Sequence, residues 1–175
     1  MNTWKKVATK QILAHPRIRV YEDIVELPNG ELTDYVHFGK GEEACTIIAI
    51  NSEGLVLVQK EYSYPPNEWL YQFPGGMIEK GELVEDATLR ELSEEAGFTG
   101  TLRKIGFYYL NNRRSDTKMH VFVCDNLMEK SMDKDAEEEF ETYWVSEGNI
   151  DKLIRDGEVK TYSILAAWAL YRARA

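Results

Sequence analysis

Residues 83–96 carry the tightest constraint in the chain: a helix that must bury one flank while holding like charges together beside it. Leu89, Leu92 and Ala96 recur at i, i+3 and i+7 as an apolar stripe, and Gly97 stands where such a helix ends. Glu91, Glu94 and Glu95 cover an arc of about 100° to one side of that stripe. Glu91 and Glu95 face each other at i, i+4, which destabilises an isolated helix by roughly 0.2–0.5 kcal/mol. A sequence selected for helix stability alone would put lysine at one of them, so something must offset the repulsion. A solvated face with an Arg90–Glu94 ion pair is one account. A hard divalent cation held by the grouped oxygens is the other.

Most of the remaining pattern is β. Residues 18–38, IRVYEDIVELPNGELTDYVHF, alternate on both sides of Asn29-Gly30, a hairpin signature. Residues 1–40 are therefore expected to form a small N-terminal antiparallel β subdomain, with GKGEE at 39–43 as its boundary and a second domain over 41–175. Short β-type runs follow at 45–50, 54–62 and 68–73, and Pro74-Gly75-Gly76 breaks the third into a loop. Beyond the acidic helix come strands at 102–110, 118–125 and 140–145, then helices near 147–156 and 161–173. This order argues for α/β, with helices packed on a largely non-parallel sheet.

Charge narrows the partners. With 175 residues and a net charge of −9, the chain has no Lys/Arg run for a nucleic-acid polymer, and an anionic small substrate would need a local cationic device such as a divalent ion. Cys45 and Cys124 are the only cysteines and lie in apolar runs as expected of buried free thiols, so neither a zinc site nor a structural disulfide is indicated. No apolar stretch suits a signal peptide or a membrane span, and a reducing cytoplasm is the expected setting.

The surroundings of the acidic helix add a second constraint. Gly76-x5-Glu82-x7-Arg90-Glu91-Leu92-x-Glu94-Glu95-x-Gly97-Phe98 resembles the Nudix box, with every fixed position filled. The leader beginning at Trp4, the hairpin VELPNGELTDYV, the stretch EYSYPPNEWLYQFPGGMIEKGE and the acidic DAEEEFETYWV are similar to the ADP-ribose and nucleoside-diphosphate-sugar pyrophosphatase branch of that family. The resemblance implies a Nudix-type α/β/α sandwich with a mixed sheet behind the β subdomain. It also implies a homodimer that exchanges its N-terminal β unit. The implied activity is Mg²⁺-dependent hydrolysis, with Mn²⁺ as a substitute, of nucleoside diphosphate sugars including ADP-ribose to a nucleoside monophosphate and a sugar phosphate. Metal ligands would be Glu91, Glu95 and the main-chain oxygen of Gly75, with Glu94 as a further ligand and Glu82 bridging or supporting them. Arg90 would orient these carboxylates. Glu138, within Glu137-Glu138-Glu139, would be the general base and touch the metal; Glu94 and Arg90 join it among the residues expected to serve catalysis.

Arg113, Arg114 and Lys118 in NNRRSDTK are candidates for phosphate or terminal sugar, although a charged surface hairpin accounts for them equally. Among Trp4, Tyr21 and Tyr35, candidates for stacking on the base, Tyr35 is carried forward as a substrate contact. His15, His37 and His120 are scattered and read as ordinary packed or surface histidines. Asn112 replaces a proline usual in ADP-ribose enzymes of the branch and Ser63 replaces an arginine, which favours a broader range of nucleoside diphosphate sugars. Two rival activities use the same box: RNA cap or nucleoside-triphosphate pyrophosphohydrolysis, and sensing of nucleotide sugars without cleavage.

Overall fold

The structure is a computed structural model that describes residues 3–39, 41–130 and 140–174. Its contacts divide into two compact units, one of residues 1–42 with 109–117 and one of residues 43–108 with 118–175.

The first unit is an antiparallel sheet in the order β1 (Lys5–His15), β2 (Ile18–Glu26), β3 (Leu32–Phe38). The expected hairpin lies between β2 and β3. Gly30 takes φ +86°, a left-handed conformation that costs glycine little, and its N–H donates to the Leu27 carbonyl at 2.9 Å. Every residue of β1 is exposed. Across the sheet, Thr9 donates to Asp23 Oδ1 at 2.6 Å, and the His37 ring stacks on Tyr21. His37 Nε2 sits 3.1 Å from Asp23 Oδ2, an ion-pair distance, although the geometry falls short of a directed hydrogen bond. Residues 109–117 complete this unit: Phe38 N–H donates to the Arg114 carbonyl and Arg114 Nη1 to the Val36 carbonyl. Sequence pattern alone placed the boundary at 39–43; it carries no sign of this later segment, which joins through non-local backbone bonds.

The second unit contains β4 (Glu43–Ala49), β5 (Val56–Ser63), β6 (Glu68–Gln72), α1 (Val84–Ala96), β7 (Phe98–Tyr109) except its last residue, β8 (Lys118–Glu129), β9 (Phe140–Val145), α2 (Glu147–Arg155) and α3 (Tyr162–Arg174). Two three-stranded sheets form, ordered β4-β8-β7 and β6-β5-β9. β4 and β8 run parallel while β5 is antiparallel to both neighbours, so the strands are mixed in direction.

Both faces of β4 are covered, which is why CTIIAI reads as continuous apolar sequence rather than alternation. Ile48 packs with Phe73, Ile150, Ile164 and Trp168 toward α2 and α3. Ile47 and Ala49 pack with Leu57, Leu92 and Cys124 toward α1. Helices on both sides of the strands make this mixed α/β unit a sandwich. Full burial of a Leu or Ile such as these stabilises by roughly 1.5–3 kcal/mol each.

Two features depart from expectation. β7 starts at Phe98 rather than 102, because Gly97 at φ +76° caps α1, donates to the Ser93 carbonyl and turns the chain directly into the strand. In α1 the buried residues are Ala87, Thr88, Leu92, Ser93 and Glu95, whereas Leu89 and Ala96 are half-buried. Thr88 and Ser93 can enter the core because their hydroxyls donate to the Val84 and Leu89 carbonyls one turn back.

Candidate metal and active site

The site is built where the loop after β6 returns alongside β4 and meets α1. Ile47 N–H donates to the Pro74 carbonyl at 2.8 Å and Cys45 N–H to the Gly76 carbonyl at 2.9 Å, so the loop is tied to the strand on both sides of Gly75. Gly75 takes φ +144°, and a Cβ there would lie 2.1 Å from the Cys45 carbonyl oxygen. Only glycine fits. A Cβ on Gly76 would lie 2.6 Å from Glu91 Oε1, so the missing side chain is the space that Glu91 occupies.

α1 brings two carboxylates to these glycines. Glu95 Oε2 accepts from the Gly75 N–H at 3.1 Å and is 6% exposed, deeper than a residue on the solvent flank of a helix. Glu91, one turn earlier, lies against Gly76. Burial raises the Cys45 thiol pKa first, and the charges of Glu91 and Glu95 push it further the same way. The electrostatic field of the pair thus reaches β4.

Arg90 organises the remaining acids. Its Nε and Nη2 donate to the two carboxylate oxygens of Glu82 at 3.0 and 3.1 Å. Nη1 donates to Glu91 Oε1 at 3.0 Å and to Glu94 Oε2 at 2.9 Å, while Nη2 also reaches the Met77 carbonyl. The expected Arg90–Glu94 pair is therefore one arm of a larger fork. Arg90 holds the Glu82 carboxyl below the usual carboxylate range, with the Glu79 N–H assisting against burial. The carboxylates in turn raise the guanidinium pKa, Glu82 most.

Hard carboxylate oxygens around a side-chain-free turn fit a small divalent cation. Among the described residues no group of three or more His, Cys, Asp or Glu side chains is arranged to hold a metal ion. The set expected from sequence is Glu91, Glu95 and the Gly75 main-chain oxygen, with Glu94 as a further ligand, Glu82 bridging or supporting and Glu138 touching the metal; Glu82 and Glu94 are here bonded to Arg90. Glu138, with Glu137 and Glu139, lies outside the described residues.

The remaining candidates fall in different places. Tyr35, Arg113 and Arg114 belong to the first unit, where they line a cleft of ≈ 430 Å³ with Trp4, Asp23 and His37. There the Tyr35 hydroxyl donates to the Arg113 carbonyl, the Arg114 guanidinium lies 5.5 Å from the Tyr35 ring centre, and Trp4 meets that ring edge-on. Lys118 belongs to the second unit, 3.6 Å from Glu43. Sequence reasoning passed over Cys45 as part of the site. Its place beside Gly76 comes from strand-to-loop pairing, which leaves no local mark.

Residues 41–167 match the family model described as NUDIX domain. The chain is 32% identical over 169 residues to the ADP-ribose pyrophosphatase of Bacillus subtilis, spanning 95% of this chain and 90% of that protein. It is 28% identical over 137 residues to the ADP compounds hydrolase NudE of Escherichia coli, covering 73% and 70% of the two chains. A crystal structure of an ADP compounds hydrolase superposes with a TM-score of 0.90 at 22% identity over 99% of this chain and 94% of that one, a likeness of fold.

Proposed function

This chain belongs to the NUDIX domain family, and on that footing we propose that it hydrolyses the pyrophosphate of nucleoside diphosphate sugars, ADP-ribose among them, to a nucleoside monophosphate and a sugar phosphate. It is a pyrophosphohydrolase, in keeping with its likeness to a protein named ADP-ribose pyrophosphatase. The observation that carries the reading is the meeting of Glu91 and Glu95 at Gly75-Gly76, two hard carboxylates brought from one helix to a turn with no side chains in the way.

Glu91, Glu95 and the Gly75 main-chain oxygen would hold Mg²⁺, or Mn²⁺ in its place, with Glu94 as a further ligand and Glu82 bridging or supporting them. When bound, the cation polarises the phosphoryl group, acidifies the attacking water and offsets charge on the leaving oxygen. Arg90 keeps Glu82, Glu91 and Glu94 aligned, and the Gly75 N–H fixes Glu95. Glu138 takes the proton from the water through its carboxylate. Tyr35 stacks on the base, and Arg113, Arg114 and Lys118 contact phosphate or the terminal sugar.

The working form is a homodimer that exchanges its N-terminal β unit. In support, β1 is an edge strand of 11 exposed residues, with Val7, Ile12 and Leu13 at 53, 47 and 46% exposure, an arrangement that favours pairing with another chain. Two free, buried thiols suit a reducing cytoplasm, and among the described residues no helix is long and apolar enough to cross a membrane. The test is product identity: ADP-ribose and a panel of nucleoside diphosphate sugars are incubated with the enzyme, with Mg²⁺ and with a chelator. The reading requires a nucleoside monophosphate and a sugar phosphate only when the metal is present. Release of inorganic pyrophosphate from nucleoside triphosphates, with the sugars untouched, contradicts it.

A further inference from the structure

β8 extends the sheet one strand beyond β4, and their parallel register sets Lys118 beside Glu43 and His120 beside Cys45. Neighbours across such a ladder point to the same face, with strands about 4.8 Å apart. His120 is therefore on the face where Cys45 lies against Thr88 of α1 and within the field of Glu91 and Glu95. One strand separates it from the carboxylate site.

Around it the chain concentrates positive charge, against its overall −9. His120 Nε2 is 3.5 Å from Glu43 Oε1, and Lys118 Nζ is 3.6 Å from the same oxygen. Lys118 also lies 5.7 Å from the Phe107 ring centre, whose ring is 6.2 Å from the imidazole. Lys104, on β7, adds a second ammonium, 5.7 Å from the ring centre of Phe122, which lies two residues along β8 from His120 on the same face. Burial first, and Lys104 next, hold the His120 pKa below its ordinary value, leaving the ring neutral and able both to donate and to accept. At 6% exposure neither ring nitrogen makes a directed hydrogen bond among the described residues, the Glu43 contact being long. A buried imidazole with two unmet polar atoms, in a cluster with two lysines and one carboxylate, calls for a polar partner.

We propose that Lys104, Lys118 and His120, with Glu43, form the subsite for the sugar-phosphate half of the substrate: the ammonium groups face its phosphate, and the imidazole and Glu43 face its hydroxyls. This rests on the pyrophosphatase reading for the identity of the sugar phosphate, and it adds Lys104 and Glu43, and His120, which sequence pattern left as an ordinary packed or surface histidine.

The chain has three histidines, so the ring-proton NMR signal of His120 can be assigned with a His120→Asn variant and followed by titration. D-ribose 5-phosphate shifts that signal saturably, at lower concentration than inorganic phosphate, and AMP leaves it in place. In a Lys104→Met/Lys118→Met variant the midpoint for ribose 5-phosphate rises roughly tenfold, and the KM for ADP-ribose rises with it while kcat stays within about twofold. Movement by AMP alone, equal saturation by phosphate and ribose 5-phosphate, or an unchanged midpoint in the double variant overturns the subsite. Wild-type enzyme that leaves ADP-ribose intact refutes the pyrophosphatase reading instead, and the ribose 5-phosphate titration still decides the subsite.

Discussion

The Gly75 N–H donates to Glu95 Oε2 at 3.1 Å, joining a loop and a helix twenty residues apart in sequence. Glu95→Gln keeps a carbonyl oxygen for that hydrogen bond and nearly the same shape, while removing one negative charge from the proposed ligand pair. Turnover of ADP-ribose is expected to fall by at least about 10²-fold, with a thermal midpoint within a few degrees of wild type. Steady-state kinetics and calorimetry on the same preparation check both halves.

The two glycines predict opposite phenotypes. In Gly75→Ala the new methyl meets the backbone oxygen of Cys45 at 2.1 Å in a left-handed conformation, so neither partner can yield and the fold loses roughly 3 kcal/mol or more. In Gly76→Ala the clash is with the Glu91 carboxylate at 2.6 Å, the mobile end of a side chain. Urea unfolding should register the first strongly and the second weakly, whereas activity is lost in both.

Arg90→Met removes five hydrogen bonds, four of them to carboxylates, from a side chain that is 23% exposed. Glu82, Glu91 and Glu94 then repel without a counter-charge. A stability loss of about 2–3 kcal/mol is expected, read as a lower urea midpoint, with part of it recovered in Arg90→Lys.

Acid sensitivity follows from the same fork. Glu82 has a folded pKa below its ordinary value of 4.5, set first by Arg90, so its contribution is present above that value and is lost as the pH falls through the lowered one. Asp23 moves the same way, because the hydrogen bond from Thr9 and the close approach of His37 together outweigh burial, the largest single influence. Urea midpoints should hold from neutral pH down to about 5 and decline below it. In Arg90→Met the decline should be shallower; an identical acid profile would remove Arg90 as its cause.

Local chemistry made much of this architecture legible. Asn29-Gly30 marked the hairpin, Gly97 marked the end of α1, and the spacing from Gly76 to Gly97 marked the carboxylates, because each depends on residues close in sequence. The parallel pairing of β4 with β8 was not legible, since its partners are about seventy-five residues apart and share no local signal. That pairing brings His120 beside Cys45, which is why a scattered histidine concealed a polar cluster. The buried face of α1 is wider than the apolar stripe for a related reason: Leu92 and Ala96 pack in the core as expected, and Thr88 and Ser93, which look polar in sequence, bond to their own helix and enter it too.

The most direct measurement is anomalous scattering from a crystal soaked in Mn²⁺ with a non-hydrolysable ADP-ribose analogue. The account predicts a manganese peak bounded by the Glu91 and Glu95 carboxylates and the Gly75 carbonyl oxygen, beside the analogue's pyrophosphate, and no such peak in Glu95→Gln. Analogue bound in an ordered site with no metal at those carboxylates would contradict it.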